Sequence, residues 1–107
     1  MSVNPYRGEV ALVVDGVSYR LRLTLGALAG LEARLEAGGL MDLVERFETG
    51  RFSAGDLLDL LSAGLEGGGA ALSREALAAA EIEGGPLGAA KVAARLLYVS
   101  FTLPEGT

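Results

Sequence analysis

Gly8-Glu9-Val10-Ala11-Leu12-Val13-Val14-Asp15-Gly16-Val17-Ser18-Tyr19-Arg20-Leu21-Arg22-Leu23 is the stretch whose reading decides the fold. Asp15-Gly16 is a two-residue loop of the kind a type I′ hairpin turn selects, because both central positions need φ > 0. With that loop, Val14 faces Val17, Leu12 faces Tyr19 and Val10 faces Leu21, all on one side of the ribbon. Glu9 then lies opposite Arg22, Ala11 opposite Arg20 and Val13 opposite Ser18 on the other side. A slip of one residue would set apolar side chains against arginines, so the pattern specifies its own register. Strands are expected near 8–14 and 17–24, with Val10, Leu12, Tyr19 and Leu21 buried. A lone hairpin is marginal in water, so its apolar side needs a cover. The rest of the chain reads as that cover.

Upstream, residues 1–7 read as an irregular arm, with Asn4-Pro5 biased toward extended or turn geometry. Downstream, Thr24 stands where a helix N-cap would, ahead of Leu25, Leu28, Leu31 and Leu35 at helical spacing, and Gly38-Gly39 is expected to stop that helix. Leu40, Leu43, Val44 and Phe47 form the stripe of a second helix, with Asp42 and Arg46 paired on its wet side and Gly50 closing it. Ser53-Ala54-Gly55-Asp56 resembles a capping box and opens a third helix bearing Leu57, Leu58, Leu60, Leu61 and Leu65. These leucines span an arc of about 160°, wide enough for a central helix with neighbours on two sides.

Gly67-Gly68-Gly69 reads as a flexible break, and Ser73 as the cap of a fourth helix from Arg74 to about Glu81, with Leu72 and Leu77 at staple positions. Glu83-Gly84-Gly85-Pro86 is a second break, with Pro86 in the first turn of a last helix. The expected architecture is α+β and helix-dominated: an N-terminal β-hairpin over 8–24 packed against four or five short helices in 25–103, the whole of 1–107 forming one domain.

Between Leu87 and Phe101 only Lys91, Arg95 and Tyr98 make a polar face. Such a helix is either buried in its own core or keeps part of its face for a partner. The third and last helices together carry more apolar surface than a chain of this length readily hides, so an exposed docking patch is expected from Leu57, Leu60, Leu61, Leu97, Val99 and Phe101. Self-association into a homo-oligomer is one way to cover it.

Composition narrows the chemistry. Half of the 107 residues are apolar and about a fifth are charged, which is globular rather than disordered. A net charge of −5 argues against a nucleic-acid coat, which needs a basic face. With no His and no Cys, disulfides, thiolate metal sites and His-based nucleophile activation are excluded. Glu32/Glu36, Asp56/Asp59 and Glu81/Glu83 are near neighbours, but wet helix faces produce that spacing without catalysis. Gly84 to Lys91 falls short of a P-loop, because Lys91 does not follow the glycine directly and no Ser/Thr comes after it. No catalytic, cofactor-binding or metal-binding residue is therefore assigned. The first residues lack a signal-peptide h-region and no uncharged apolar run approaches membrane-spanning length, so a cytoplasmic protein is expected.

Asn4-Pro5-Tyr6-Arg7-Gly8-Glu9, the hairpin, the stretch Leu21-Arg22-Leu23-Thr24-Leu25-Gly26-Ala27-Leu28-Ala29-Gly30-Leu31-Glu32, and Arg46-Phe47-Glu48-Thr49-Gly50-Arg51-Phe52-Ser53-Ala54 resemble the small tail protein of gene transfer agents, the phage-like particles of alphaproteobacteria. The similarity runs from about residue 4 to 100 and is most specific in 4–32 and 46–69. It implies a part in tail morphogenesis, described for the family either as a tail tube protein or as a tail-assembly chaperone encoded beside the tape-measure protein. It carries over no catalytic residue. Tube subunits need many strands and this chain signals two, so the chaperone is the expected role, with apolar helical segments of the tape-measure protein, or other tail proteins, as partners. A structural tail subunit, resident in the virion tail, is the alternative, and a regulatory adaptor unrelated to tails is a third class.

Overall fold

Strands β1 (Glu9–Val14) and β2 (Val17–Arg22) pair antiparallel in the expected register, from Glu9 opposite Arg22 to Val14 opposite Val17. Asp15 and Gly16 both have positive φ, 50° and 79°, as the type I′ loop requires. The computed structural model describes residues 3–4 and 7–101. The expected arm's Met1, Ser2, Pro5 and Tyr6, and Thr102 and Leu103 of the expected helical part, lie outside the described residues. Val10, Leu12, Val14 and Leu21 are buried on the inner face. Tyr19, expected in the core, is only half-buried. The closest approach of α3 (Ala54–Gly67) falls on the Arg20–Arg22 half of β2, so cover thins toward the turn, where Val17 is 52% exposed.

Five helices follow the hairpin: α1 (Leu25–Leu35), α2 (Leu40–Glu48), α3, α4 (Arg74–Ala79) and α5 (Gly85–Phe101). Side chains cap the N-termini of α1, α3 and α4. The Thr24 hydroxyl accepts from the Ala27 N–H at 3.1 Å and the Ser73 hydroxyl from the Ala76 N–H at 3.1 Å. Ser53 and Asp56 exchange both bonds of a capping box, at 3.1 and 3.0 Å. Helix α1 ends before the expected Gly38-Gly39, with Glu36 in the left-handed region at φ 51°. The turn is closed by backbone bonds, Glu36 N–H to the Ala33 carbonyl at 3.4 Å and Ala37 N–H to the Glu32 carbonyl at 3.0 Å. Arg46 of α2 donates to the Leu35 and Glu36 carbonyls at 2.7 and 3.2 Å, satisfying acceptors the helix leaves open. Asp42 pairs with the same Arg46 at 3.4 Å. The Gly38 N–H donating to Asp42, aided by the Arg46 charge, holds this carboxyl below the ordinary carboxylate range.

Helix α3 is the hub: β2, α1, α4 and α5 all pack on it, while α5 also lies along β1 and α2 joins α1 to α5. Leu12, Leu21, Leu31, Leu43, Leu60, Leu65 and Leu96 have essentially no exposed surface in the shared core. Gly64 makes this junction possible, since a Cβ there would stand 2.8 Å from Leu96 Cδ2 and 3.2 Å from Leu21 Cβ. The first two glycines of 67–69, expected as part of a flexible break, have a different reason. A Cβ at Gly67 would collide with the Arg22 carbonyl, and one at Gly68 with the Arg20 carbonyl, so both let the end of α3 close on the outer edge of β2.

Helix α4 is shorter than expected. After Ala79 the chain turns extended, and Ile82 forms a one-residue bridge to Val14 on the outer edge of β1. Asp15 N–H donates to the Glu81 carbonyl at 2.8 Å and Glu83 N–H to the Val13 carbonyl at 3.0 Å. The Asp15 carboxylate accepts from the Glu81 N–H at 2.9 Å.

Candidate partner-binding surface

Of the carboxylates weighed as acid/base pairs, Asp56 and Asp59 have structural partners, Glu36, Glu81 and Glu83 are exposed, and Glu32 is half-buried on α1. Asp56 caps α3, Asp59 holds Arg74 at 2.8 Å, and Glu36 ends α1. Among the described residues no three acidic, His or Cys side chains converge as a metal site would need, and no buried side-chain polar atom lacks a hydrogen bond. Among them, too, no helix is long and apolar enough to cross a membrane.

The expected docking patch does not exist as one exposed surface. Leu60, Leu61, Leu97 and Val99 are 0%, 1%, 3% and 8% exposed and belong to the core, while Leu57 and Phe101 are half-buried. The reason is mutual cover. With Gly64 as a notch, α3 and α5 pack on each other as well as on the hairpin, and the wide leucine arc of α3 is shared among β2, α1, α4 and α5.

Two apolar grooves open among the described residues, and four of the six positions are divided between them. The first, of about 360 Å³, runs between the N-terminal half of α3, α4, the Ala80–Ile82 segment and the start of α5. Leu57, Leu58 and Leu61 form one wall, Leu77, Ala78 and Ala80 another, with Ile82, Pro86 and Ala89 closing the end, and Glu81 is the one charged side chain in the lining. The second, of about 260 Å³, lies between α2 and α5, where Leu97 and Phe101 meet Val44 and Phe47 beneath exposed Met41 (75%) and Tyr98 (64%). Leu60 and Val99 line neither. The first groove opens beside a polar cleft lined by Asp15, Glu81 and Glu83, with which it shares Glu81, Ile82 and Gly85.

Sequence reasoning missed Ala54, Leu77, Ala78, Ala80, Ile82 and Pro86 as groove residues. The available signal was Glu81-Ile82-Glu83, an alternating triplet just before Gly84-Gly85, which is how a short half-buried strand reads. Three residues are too few to stand out from a connector.

The family model described as phage tail tube protein, GTA-gp10, matches residues 7–102. No curated protein and no solved structure is significantly similar to the chain.

Proposed function

The chain belongs to the phage tail tube protein, GTA-gp10 family, a family of tail components, and we propose that this member is a non-enzymatic tail-assembly chaperone. It covers apolar helical segments of the tape-measure protein in the cytoplasm until the tube closes around them, by helix-in-groove binding. The observation that carries this reading is the state of the sheet. A tube wall built by extending sheets from subunit to subunit needs free strand edges. Here only short gaps of edge, around Ala11 and Ser18, stay open: β1 has Ile82 at its turn end and Asn4 at the other, where the Glu9 N–H donates to the Asn4 carbonyl at 3.2 Å, and β2 has the end of α3 against Arg20 and Arg22. Open apolar surface lies between helices instead.

The family's description favours a second reading, a structural subunit of the tail tube. Co-expression with the tape-measure protein of the same particle separates the two. The chaperone reading expects one soluble complex of both proteins, and a chain that alone stays a small species by light scattering. Rings or tubes formed by the chain alone, seen by electron microscopy, would overturn it.

A further inference from the structure

The first groove is built by residues 54–89, and that segment holds the whole net charge of the chain. It contains six carboxylates and one basic residue, Arg74, while the rest of the chain holds eight acidic and eight basic side chains that cancel. Arg74 is already engaged, donating to Asp59 at 2.8 Å and to the Gly55 carbonyl at 3.5 Å. The nearest cation on α5, Lys91, lines a separate slot against β1, beside Glu9 and Ala11. An apolar trough therefore runs into a cleft whose charged side chains, Asp15, Glu81 and Glu83, are all negative.

The walls also restrict the backbone a ligand can bring. Three of them are helices, whose main-chain groups bond within themselves. In the extended segment, the Glu81 carbonyl and Glu83 N–H are taken by β1 and the Ile82 carbonyl by the Gly85 N–H at 2.8 Å, which leaves little more than the Ala80 carbonyl and Ile82 N–H as an edge. An extended peptide could pair with that short stretch alone and would lose hydration elsewhere without compensation, whereas a helix satisfies its own backbone.

We propose that this groove receives one amphipathic helix of a partner protein, its apolar side chains against Leu57, Leu58 and Ile82, and lysines or arginines at the end that reaches Asp15, Glu81 and Glu83. The proposal rests on the chaperone reading for the identity of the partner but not for its chemistry. It also gives the acidic segment a task beyond solubility, selecting which apolar helices are held and in which direction they lie.

The test uses two fluorescent synthetic helices of about 14 residues, four turns. Both carry leucines at i, i+3, i+4 and i+7; one has lysines at one end and the other has glutamates at the same positions. Fluorescence anisotropy with the full chain is expected to show the lysine peptide binding about tenfold more tightly at low salt, as a few partly exposed charge pairs provide, with the gap closing at high salt. Ala78→Trp, at an exposed lining position, is expected to abolish binding while leaving the circular dichroism spectrum and melting temperature unchanged. Glu81→Lys with Glu83→Lys is expected to reverse the preference.

Equal binding of both peptides, or full binding by a folded Ala78→Trp variant, would overturn the proposal. So would a concentration-dependent dimer that Ala78→Trp abolishes and that excludes both peptides, since the occupant would then be a second copy of this chain. The chaperone reading fails separately. If the wild-type chain binds the lysine peptide yet never co-purifies with the tape-measure protein, the groove stands and the reading falls. If Ala78→Trp co-purifies as well as wild type, the reading stands and the groove falls.

Discussion

At its C-terminal end α3 sits so close to β2 that Gly67 and Gly68 leave no room for a methyl group, whereas at its N-terminal end Leu57 and Leu58 line an open groove facing α4 and Pro86. One helix thus has a closed end and an open end, with leucine at both. Apolar content does not distinguish them, since Leu60, Leu61 and Leu65 are core and Leu57 and Leu58 are half-buried. Closure depends on the small residue that admits the neighbour. Gly64 admits Leu96 and Leu21, while nothing brings α4, a six-residue helix, deep enough to fill the space over Leu57.

The most severe way to break this comparison is Leu60→Asp. A carboxylate at a position with no exposed surface has no cation to meet there and is expected to cost upward of about 4 kcal/mol, enough to abolish cooperative thermal unfolding. Leu97→Asp should do the same. A variant that kept a native circular dichroism spectrum would mean that the leucine arc of α3 is a surface after all. Truncation is milder and sharpens the contrast. Leu60→Ala should cost about 2–5 kcal/mol in urea unfolding, and Leu57→Ala about 1 kcal/mol, because the groove already leaves part of that side chain wet.

Gly68→Ala comes next. Its φ of −84° suits alanine, so any loss comes from the collision with the Arg20 carbonyl rather than from backbone strain. Moving the end of α3 off the sheet edge is expected to cost about 1–3 kcal/mol, as overpacking does. Hydrogen exchange at the backbone amides of β2 should rise with it. A neutral result would mean that the glycines at 67–69 are a loose connector.

The local features around both ends of α3 were legible in the sequence and the long-range ones were not, for a physical reason. Register, turn and caps are local: Asp15-Gly16, the alternation around it, Thr24, Ser53 and Ser73 each act on residues within a few positions. Burial of the third and last helices depends on which distant surface meets which, and a 3.6-residue stripe does not name its partner. Leu60, Leu61, Leu97 and Val99 read as spare surface because the notch at Gly64 cannot be told from any other helical glycine without Leu96 and Leu21 beside it. The groove was hidden for a related reason. Its end wall is the Ile82 bridge, a tertiary contact one residue long. The end of α1 belongs to the same class in part, since Glu36 takes the left-handed position expected of a glycine and Arg46 reaches back 11 residues to satisfy the Leu35 carbonyl.

The smallest expected effect concerns the clasp that positions α4 over the open end. Arg74 spans from α4 to α3, meeting Asp59 at 2.8 Å and the Gly55 carbonyl at 3.5 Å, with 41% of its side chain exposed and 20% of that of Asp59. Water screens such a pair, so Arg74→Ala is expected to lower stability by less than about 1 kcal/mol, with the loss shrinking as salt is added. A double-mutant cycle with Asp59→Ala isolates the pair from the packing of the arginine stem. The same substitution releases the Asp59 carboxylate beside an already acidic groove, so the lysine-bearing helix should bind somewhat more tightly even as the protein becomes slightly less stable. That opposition of signs separates an open binding end from a merely loose one. If Arg74→Ala instead costs as much as Gly68→Ala, α4 is held as firmly as the sheet edge, and the two ends of α3 differ in shape but not in strength.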